Sequence, residues 1–255
     1  MVYQTLNYEK KENVGIIHIK RPATGRVELG QLADELSDLC GEIAWDGEVR
    51  VVLLAGIGED GFPGEKDLGP ISEGDEPETT FRSLAEPVAG VERPVIAAIT
   101  GDAIGQGLEL ALACDLRIAG EGAFFALPHI MAGLIPWDGG TQRLSRLIGR
   151  SKAIEMILTG GRMDAKEAFR IGLVNRVVRS DELMAVAFGL AKEMASKGPI
   201  ALRYAKEAIV KGMDLTLEQG LRLEADLYLL IHTTKDRVEG INAFRGKKPP
   251  RFEEE

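Results

Sequence analysis

Residues Thr100–Asp115 read TGDAIGQGLELALACD. The run before them, Pro94–Ile99 (PVIAAI), has the apolar, turn-bounded pattern of a buried strand. The chain therefore leaves a strand, passes three glycines in seven residues, and enters an apolar helix. Glycines at such a junction allow close backbone approach. They also leave the first N–H groups of the helix free to meet an anion or an oxyanion. The dinucleotide-binding fingerprint is absent, because Gly101, Gly105 and Gly107 do not spell G-x-G-x-x-G and the strand is not an early one. Glu109 sits in the helix between Leu108 and Leu110. Taken alone, it is either a glutamate facing solvent or an arginine, or a carboxylate placed for chemistry.

Outward from this junction, further strands are expected at Val14–Ile19, Val49–Leu54, Leu116–Ala119 and Leu173–Val178. Helical stripes lie between them, the first through Leu29, Leu32, Leu36, Leu39, Cys40 and Ile43. Alternating strands and helices argue for an α/β fold with parallel strands. After residue 180 the pattern turns helical. One stripe runs from Leu183 to Met194, a helix opens at Gly198-Pro199 and runs through Val210, and a third follows Asp214 through Ile231. The acidic stretch Gly69–Thr80 (GPISEGDEPETT) reads as a loop.

The 255 residues, 45% hydrophobic and 28% charged, suit one large folded unit with a sizeable core. The formal charge of −9 and the lack of a gathered basic face argue against a nucleic-acid partner. No run approaches the roughly 20 apolar residues of a membrane span. The N-terminus lacks an apolar signal core and an arginine-rich leader, so an untargeted protein is expected. Two cysteines, Cys40 and Cys114, both in apolar helical patterns, suit the reducing cytoplasm. His18, His129 and His232 are far apart with no HExxH or CxxC spacing, so no metal is expected.

Two more junctions carry possible chemistry. Leu53–Leu68 (LLAGIGEDGFPGEKDL) is again a strand followed by glycines. Phe124–Leu144 (FFALPHIMAGLIPWDGGTQRL) gathers Pro128, His129, Gly133, Pro136, Trp137, Asp138, Gly139 and Gly140. His129 there is either a hydrogen-bonded structural residue or a proton carrier with Asp138 close by. Trp137 is either core packing or a wall of a substrate pocket.

Together these segments resemble the crotonase, or enoyl-CoA hydratase/isomerase, superfamily, over nearly the whole chain. The family's F-(S/C)-A-G-A-D-L appears as Phe62–Leu68, FPGEKDL. Its N-G-x-A-x-G-G-G-x-E-L-A-x-x-x-D appears as Thr100–Asp115, and its P-E-x-x-x-G-x-x-P-G-x-G-G-(T/S)-Q-R-L as Pro128–Leu144. Leu158–Val178 and the tail INAFRGKKPPRF also follow the family pattern. Several motifs in the correct order and spacing carry the resemblance.

The resemblance implies an α/β spiral of ββα turns over residues 1–195, with a C-terminal helical trimerisation region over 196–255. It implies a homotrimer or a dimer of trimers that binds an acyl-CoA and needs no cofactor, coenzyme A being part of the substrate. The backbone N–H groups of Lys66 and Gln106 fall where the family grips the thioester oxygen and its developing enolate. Glu109 matches the first catalytic glutamate. His129 stands in place of the second, bringing an imidazole with a pKa near 6.5. Asp138 falls where naphthoate-synthase-type and ring-opening members carry a working aspartate, so the resemblance implies that His129 or Asp138 handles the second proton. Lys66, Asp67, Leu68 and Trp137 fall along the substrate and CoA path, and Arg245, Lys247 and Lys248 are either phosphate partners or a solvated tail. Glu65 replaces a glycine in the first oxyanion loop, and RPATGRVEL departs from the family's CoA-holding R-P-x-x-x-N-A-L.

The implied activity is hydration of a 2-enoyl or dienoyl thioester, or the reverse dehydration, within fatty acid metabolism. Two other readings keep the fold. One is an isomerase or a thioester or C–C hydrolase that exploits His129, and the other is a non-catalytic acyl-CoA-binding subunit. For Gln106, the side chain alone reads as a helix-start residue pointing outward.

Overall fold

Apolar strands in this chain alternate their side chains between two faces, and each face acquires its own helical cover. The structure is a computed structural model that describes residues 3–20, 29–57 and 82–254. Lys66, Asp67 and Leu68, together with Glu65 and the stretch Gly69–Thr80 expected to be a loop, lie outside the described residues.

β1 (Leu6–Lys11) and β2 (Val14–Ile19) make an antiparallel hairpin. Its turn is Glu12–Asn13, both at positive φ (51° and 62°), as a two-residue hairpin of right-handed twist requires. β1 does not register as a strand in the sequence because it is LNYEKK, a charged edge with a single fully buried residue. β3 (Val51–Ile57), β4 (Val95–Ile99), β6 (Leu116–Gly120) and β9 (Arg176–Val178) follow in parallel. The sheet order is β1-β2-β3-β4-β6-β9. β9 is shorter than the expected Leu173–Val178, because Leu173 and Val174 donate their N–H groups back to Ala168 and close the preceding helix.

Period-two alternation divides the core. Ile17 and Ile19 of β2, Val52 and Leu54 of β3, and Val95, Ala97 and Ile99 of β4 pack with α1 (Leu29–Trp45) through Leu32, Leu36, Leu39 and Ile43. Val14, Ile16, Val51, Leu53, Ile96 and Ala98 face the other way, onto α7 (Leu183–Ala195). α7 meets them with Leu183, Ala187, Ala191 and Ala195, a four-residue repeat whose three alanines let the helix lie close. The short α2 (Ala85–Ala89) packs between α1 and α3 (Gln106–Ala113).

A second, three-stranded sheet decides where the chemistry falls. β5 (Ala103–Ile104) runs parallel to β7 (Phe124–Ala126), which pairs antiparallel with β8 (Met163–Asp164). β5 leads straight into α3, and β7 leads into a 3₁₀ turn at Pro128–Ala132. Gly105 donates its N–H to Ala126 O at 2.9 Å, so the start of α3 and the turn holding His129 emerge side by side.

α4 (Gly140–Ile148), α5 (Arg150–Thr159) and α6 (Ala165–Arg170) precede β9. The chain ends in α8 (Pro199–Gly212), α9 (Leu217–Ile231) and α10 (Lys235–Gly246). Thr216 and Gln219 form a full capping box at the start of α9. Ile209, Met213, Leu217, Leu221 and Leu229 are exposed along α8, α9 and their connection. Among the described residues no helix is long and apolar enough to cross a membrane.

Candidate active site

α3 is fixed at both ends. Gly105 stands before it at φ 59°, ψ −126°, a conformation that side-chain-bearing residues avoid. Gly105 O accepts from Leu108 and Glu109. The N–H groups of Gln106 and Gly107 have no acceptor among the described residues. At the far end the buried Arg117 guanidinium donates to Ala111 O, Cys114 O (2.7 Å) and Leu173 O (2.8 Å). Cation and carbonyls together satisfy the helix C-terminus.

Glu109 lies one turn into α3 and is fully buried, which rules out the solvent-facing alternative. Its Oε1 accepts from the N–H groups of Asp138 (2.9 Å) and Gly140 (2.8 Å). Its Oε2 has no hydrogen-bond partner among the described residues and lies 3.7 Å from His129 Nε2. Burial pushes the Glu109 carboxyl up to about 7. The Asp138 charge adds to the rise, while the two N–H donors and Arg143 oppose it. His129 is equally buried, and neither ring nitrogen has a hydrogen-bond partner among the described residues. Burial lowers its pKa, so the imidazole is neutral at pH 7.

Close approach is possible because residue 140 is glycine. A Cβ there would sit 2.8 Å from both Glu109 Oε1 and Pro136 Cβ. Arg143, one turn into α4, donates to Asp138 O at 2.9 Å and holds the loop from the other side.

Asp138 is brought to Glu109 by its backbone, while its carboxylate turns elsewhere. Oδ1 accepts from Ser83 Oγ, and Oδ2 accepts from the N–H groups of Leu84 (2.9 Å) and Ala85 (3.0 Å). Trp137 beside it is half-buried. For Gln106 the outward-pointing alternative does not hold. Its side chain is 2% exposed rather than pointing outward, and its Oε1 is buried without a partner among the described residues. The residues sequence reasoning missed are Ser83 and Arg143. Arg143 stood in a quoted motif, but Ser83 lies 55 residues from its partner and carried no signal.

Arg245, Lys247 and Lys248 are all exposed. A cleft of about 890 Å³ lies between the end of α3, α4 and α8, and Gly139 and Arg143 line it while Glu109 and His129 do not. Among the described residues no group of three or more His, Cys, Asp or Glu side chains could hold a metal ion.

A buried, half-satisfied carboxylate facing a neutral imidazole, beside unclaimed helix N–H groups, can hold a water and move one of its protons while steadying an oxyanion. Residues 9–255 match the family described as enoyl-CoA hydratase/isomerase. The chain is 37% identical to a protein named short-chain-enoyl-CoA hydratase from Clostridium acetobutylicum, covering 94% of each. It is 35% identical to one named crotonyl-CoA hydratase from Syntrophomonas wolfei, covering 99% of each. A crystal structure of an enoyl-CoA hydratase from Bacillus anthracis superposes with a TM-score of 0.90 at 39% identity, covering 99% of this chain and 100% of that one.

Proposed function

Because this chain belongs to the enoyl-CoA hydratase/isomerase family and has the crotonase fold, we propose that it adds water to a 2-enoyl-CoA or dienoyl-CoA thioester, or removes it, with Glu109 and His129 as the proton-handling pair. One observation carries the assignment of roles. Glu109 is locked through Oε1 by two backbone donors, and Oε2 is left facing His129.

In this reading, Glu109 Oε2 takes a proton from a water as the water oxygen bonds to C3 of the substrate. The C2–C3 π electrons move onto the thioester oxygen as an enolate. The Gln106 N–H and, by motif position, the Lys66 N–H hold that oxygen, each such donor contributing about 3 kcal/mol. The proton then passes within the Glu109–His129 pair and bonds to C2, and both residues return to their starting states. No cofactor enters beyond the CoA carried by the substrate. Asp67, Leu68 and Trp137 are assigned to the substrate path by motif position.

Residues 196–255 are assigned to self-association as a trimer or a dimer of trimers. The exposed Ile209, Met213, Leu217 and Leu221 support this, since large apolar side chains left in water along α8, α9 and their connection call for cover. The buried free thiols of Cys40 and Cys114 suit a cytoplasmic setting. Replacement of a carboxylate by neutral His129 also favours a second reading, a double-bond isomerase running on one movable proton.

Product mass decides between them. Incubation with crotonyl-CoA and a 3-enoyl-CoA should give a gain of one water on crotonyl-CoA, abolished in Glu109→Gln. Rearranged product of unchanged mass would establish the isomerase, and hydration unaffected by Glu109→Gln would remove the assigned mechanism.

A further inference from the structure

Every polar atom of Asp138 has a fixed partner, and the partners lie on three different elements. The carboxylate holds Ser83 and the first N–H groups of α2, the backbone N–H holds Glu109 on α3, and the carbonyl accepts from Arg143 on α4. We propose that Asp138 is a positioning residue that ties α2 to the Glu109 carboxylate, and that it does not carry the second proton. The proposal rests on the reading of Glu109 as the group that takes the proton from water.

The sequence of α2 explains why the tie is needed. The residue preceding the helix is Leu84, whose apolar side chain makes no capping hydrogen bond. A helix start without a side-chain acceptor leaves N–H groups unsatisfied, and burial makes that costly. Asp138 supplies the acceptor from 53 residues away in sequence, at Ala85 N. Ser83 Oγ donates to Oδ1 and accepts from Glu86 N at 2.8 Å, so the hydroxyl is itself part of the cap.

The consequence falls on Glu109. α2 packs directly on α3, so the cap fixes the helix behind Glu109 while the same residue's N–H fixes the carboxylate in front. Both Asp138 oxygens are taken up on α2, at a residue only 5% exposed. A proton relay needs an oxygen directed at the reacting atoms. The remaining effect of the carboxylate on chemistry is electrostatic. Its charge favours the protonated form of Glu109. Among the described residues, the charged and titratable groups around Glu109 are Asp138, Arg143 on α4 and His129 on the 3₁₀ turn, and α3 itself adds none.

Three variants separate positioning from proton transfer. In Asp138→Asn the amide oxygen can still accept from Leu84 and Ala85, and the amide nitrogen can donate to Ser83 Oγ, so the tie survives while the charge is lost. Its kcat on crotonyl-CoA should fall by less than about tenfold, whereas Asp138→Ala should lose more than about a hundredfold. The acid limb of the kcat/KM profile should move down by about half a pH unit or more in Asp138→Asn. Ser83→Ala, which keeps the charge and weakens the tie, should lower kcat by a few-fold at an unmoved midpoint.

A titration of Glu109 by carboxyl ¹³C NMR reads the same shift without any turnover. If Glu109→Gln hydrates normally, the assigned mechanism falls, but the melting temperature still tests the tie, since it should drop in Asp138→Ala and hold in Asp138→Asn. Asp138→Asn as inactive as Asp138→Ala would make Asp138 a proton carrier and overturn the proposal. So would Asp138→Ala retaining wild-type kcat or the wild-type melting temperature.

Discussion

His129 Nε2 lies 3.7 Å from Glu109 Oε2, and neither side chain is exposed to solvent. That separation is too long for a direct hydrogen bond and leaves both atoms open to a third group. Burial is the largest influence on both groups, with Glu109 pushed up to about 7 and His129 lowered. The ionised form of Glu109 is the one that accepts a proton from water. Hydration of crotonyl-CoA should therefore be lost as pH falls through about 7, with kcat/KM dropping about tenfold per unit below it. A steady-state profile from pH 5 to 9 checks this, and a flat profile across pH 6–8 would remove Glu109 as the base.

The same shift opposes stability. A carboxyl whose pKa is raised in the folded state favours its proton there. Its contribution is fully present below its unfolded value of about 4.5 and is lost as pH rises through about 7. By pH 8 the loss amounts to about 3 kcal/mol. Glu109→Gln removes the titration while keeping an acceptor for the Asp138 and Gly140 N–H groups. Its melting temperature should exceed wild type at pH 8 and approach it at pH 4.5. Equal differences at the two values would mean that burial does not raise Glu109 in the folded protein.

Gly140→Ala tests the other side of the carboxylate. The new methyl would meet Glu109 Oε1 and Pro136 Cβ at 2.8 Å, a contact neither can keep. Pro136 is a rigid ring, so the carboxylate has to move and its bond to the residue 140 N–H lengthens. Overpacking of this kind costs about 1–3 kcal/mol, and kcat should fall more than about tenfold with little change in KM. Chemical denaturation together with kinetics reads both, and wild-type kcat in the variant would show that the carboxylate does not depend on this approach.

How much of this was legible in the sequence depends on range. The stripes of α1 and α7 and the strand Val14–Ile19 follow local period, and the structure has them at the expected residues. β1 and α10 have no such stripe, being a polar edge and a mostly polar helix, so local pattern could not find them. The proximity of Glu109 and His129 was readable because both stand in motifs whose order the family shares. The inward turn of Gln106 was not. It follows from the backbone conformation of Gly105 and from its bond to Ala126, a contact between the two strand ends. The Ser83–Asp138 tie spans 55 residues between a loop and a short helix, and no local rule links them.

Gln106 allows the proposed oxyanion donor to be removed alone. It is the first residue of α3, where a missing N–H breaks no hydrogen bond within the helix and proline's fixed φ is suited to helix entry. Gly105 before it has φ 59° and ψ −126°, the mirror image of the extended region that proline favours in its predecessor. Gln106→Pro should therefore fold while lacking the donor, and kcat should fall by about 10²–10³. Gln106→Leu is the control. It keeps the N–H and replaces an amide oxygen buried without a partner among the described residues with apolar atoms, which should raise stability by about 1 kcal/mol. The two losses of kcat, measured on one substrate with circular dichroism to confirm folding, divide the backbone role from the side chain. If leucine and proline lower kcat equally, the side chain rather than the N–H serves the reaction, and the oxyanion assignment at residue 106 fails.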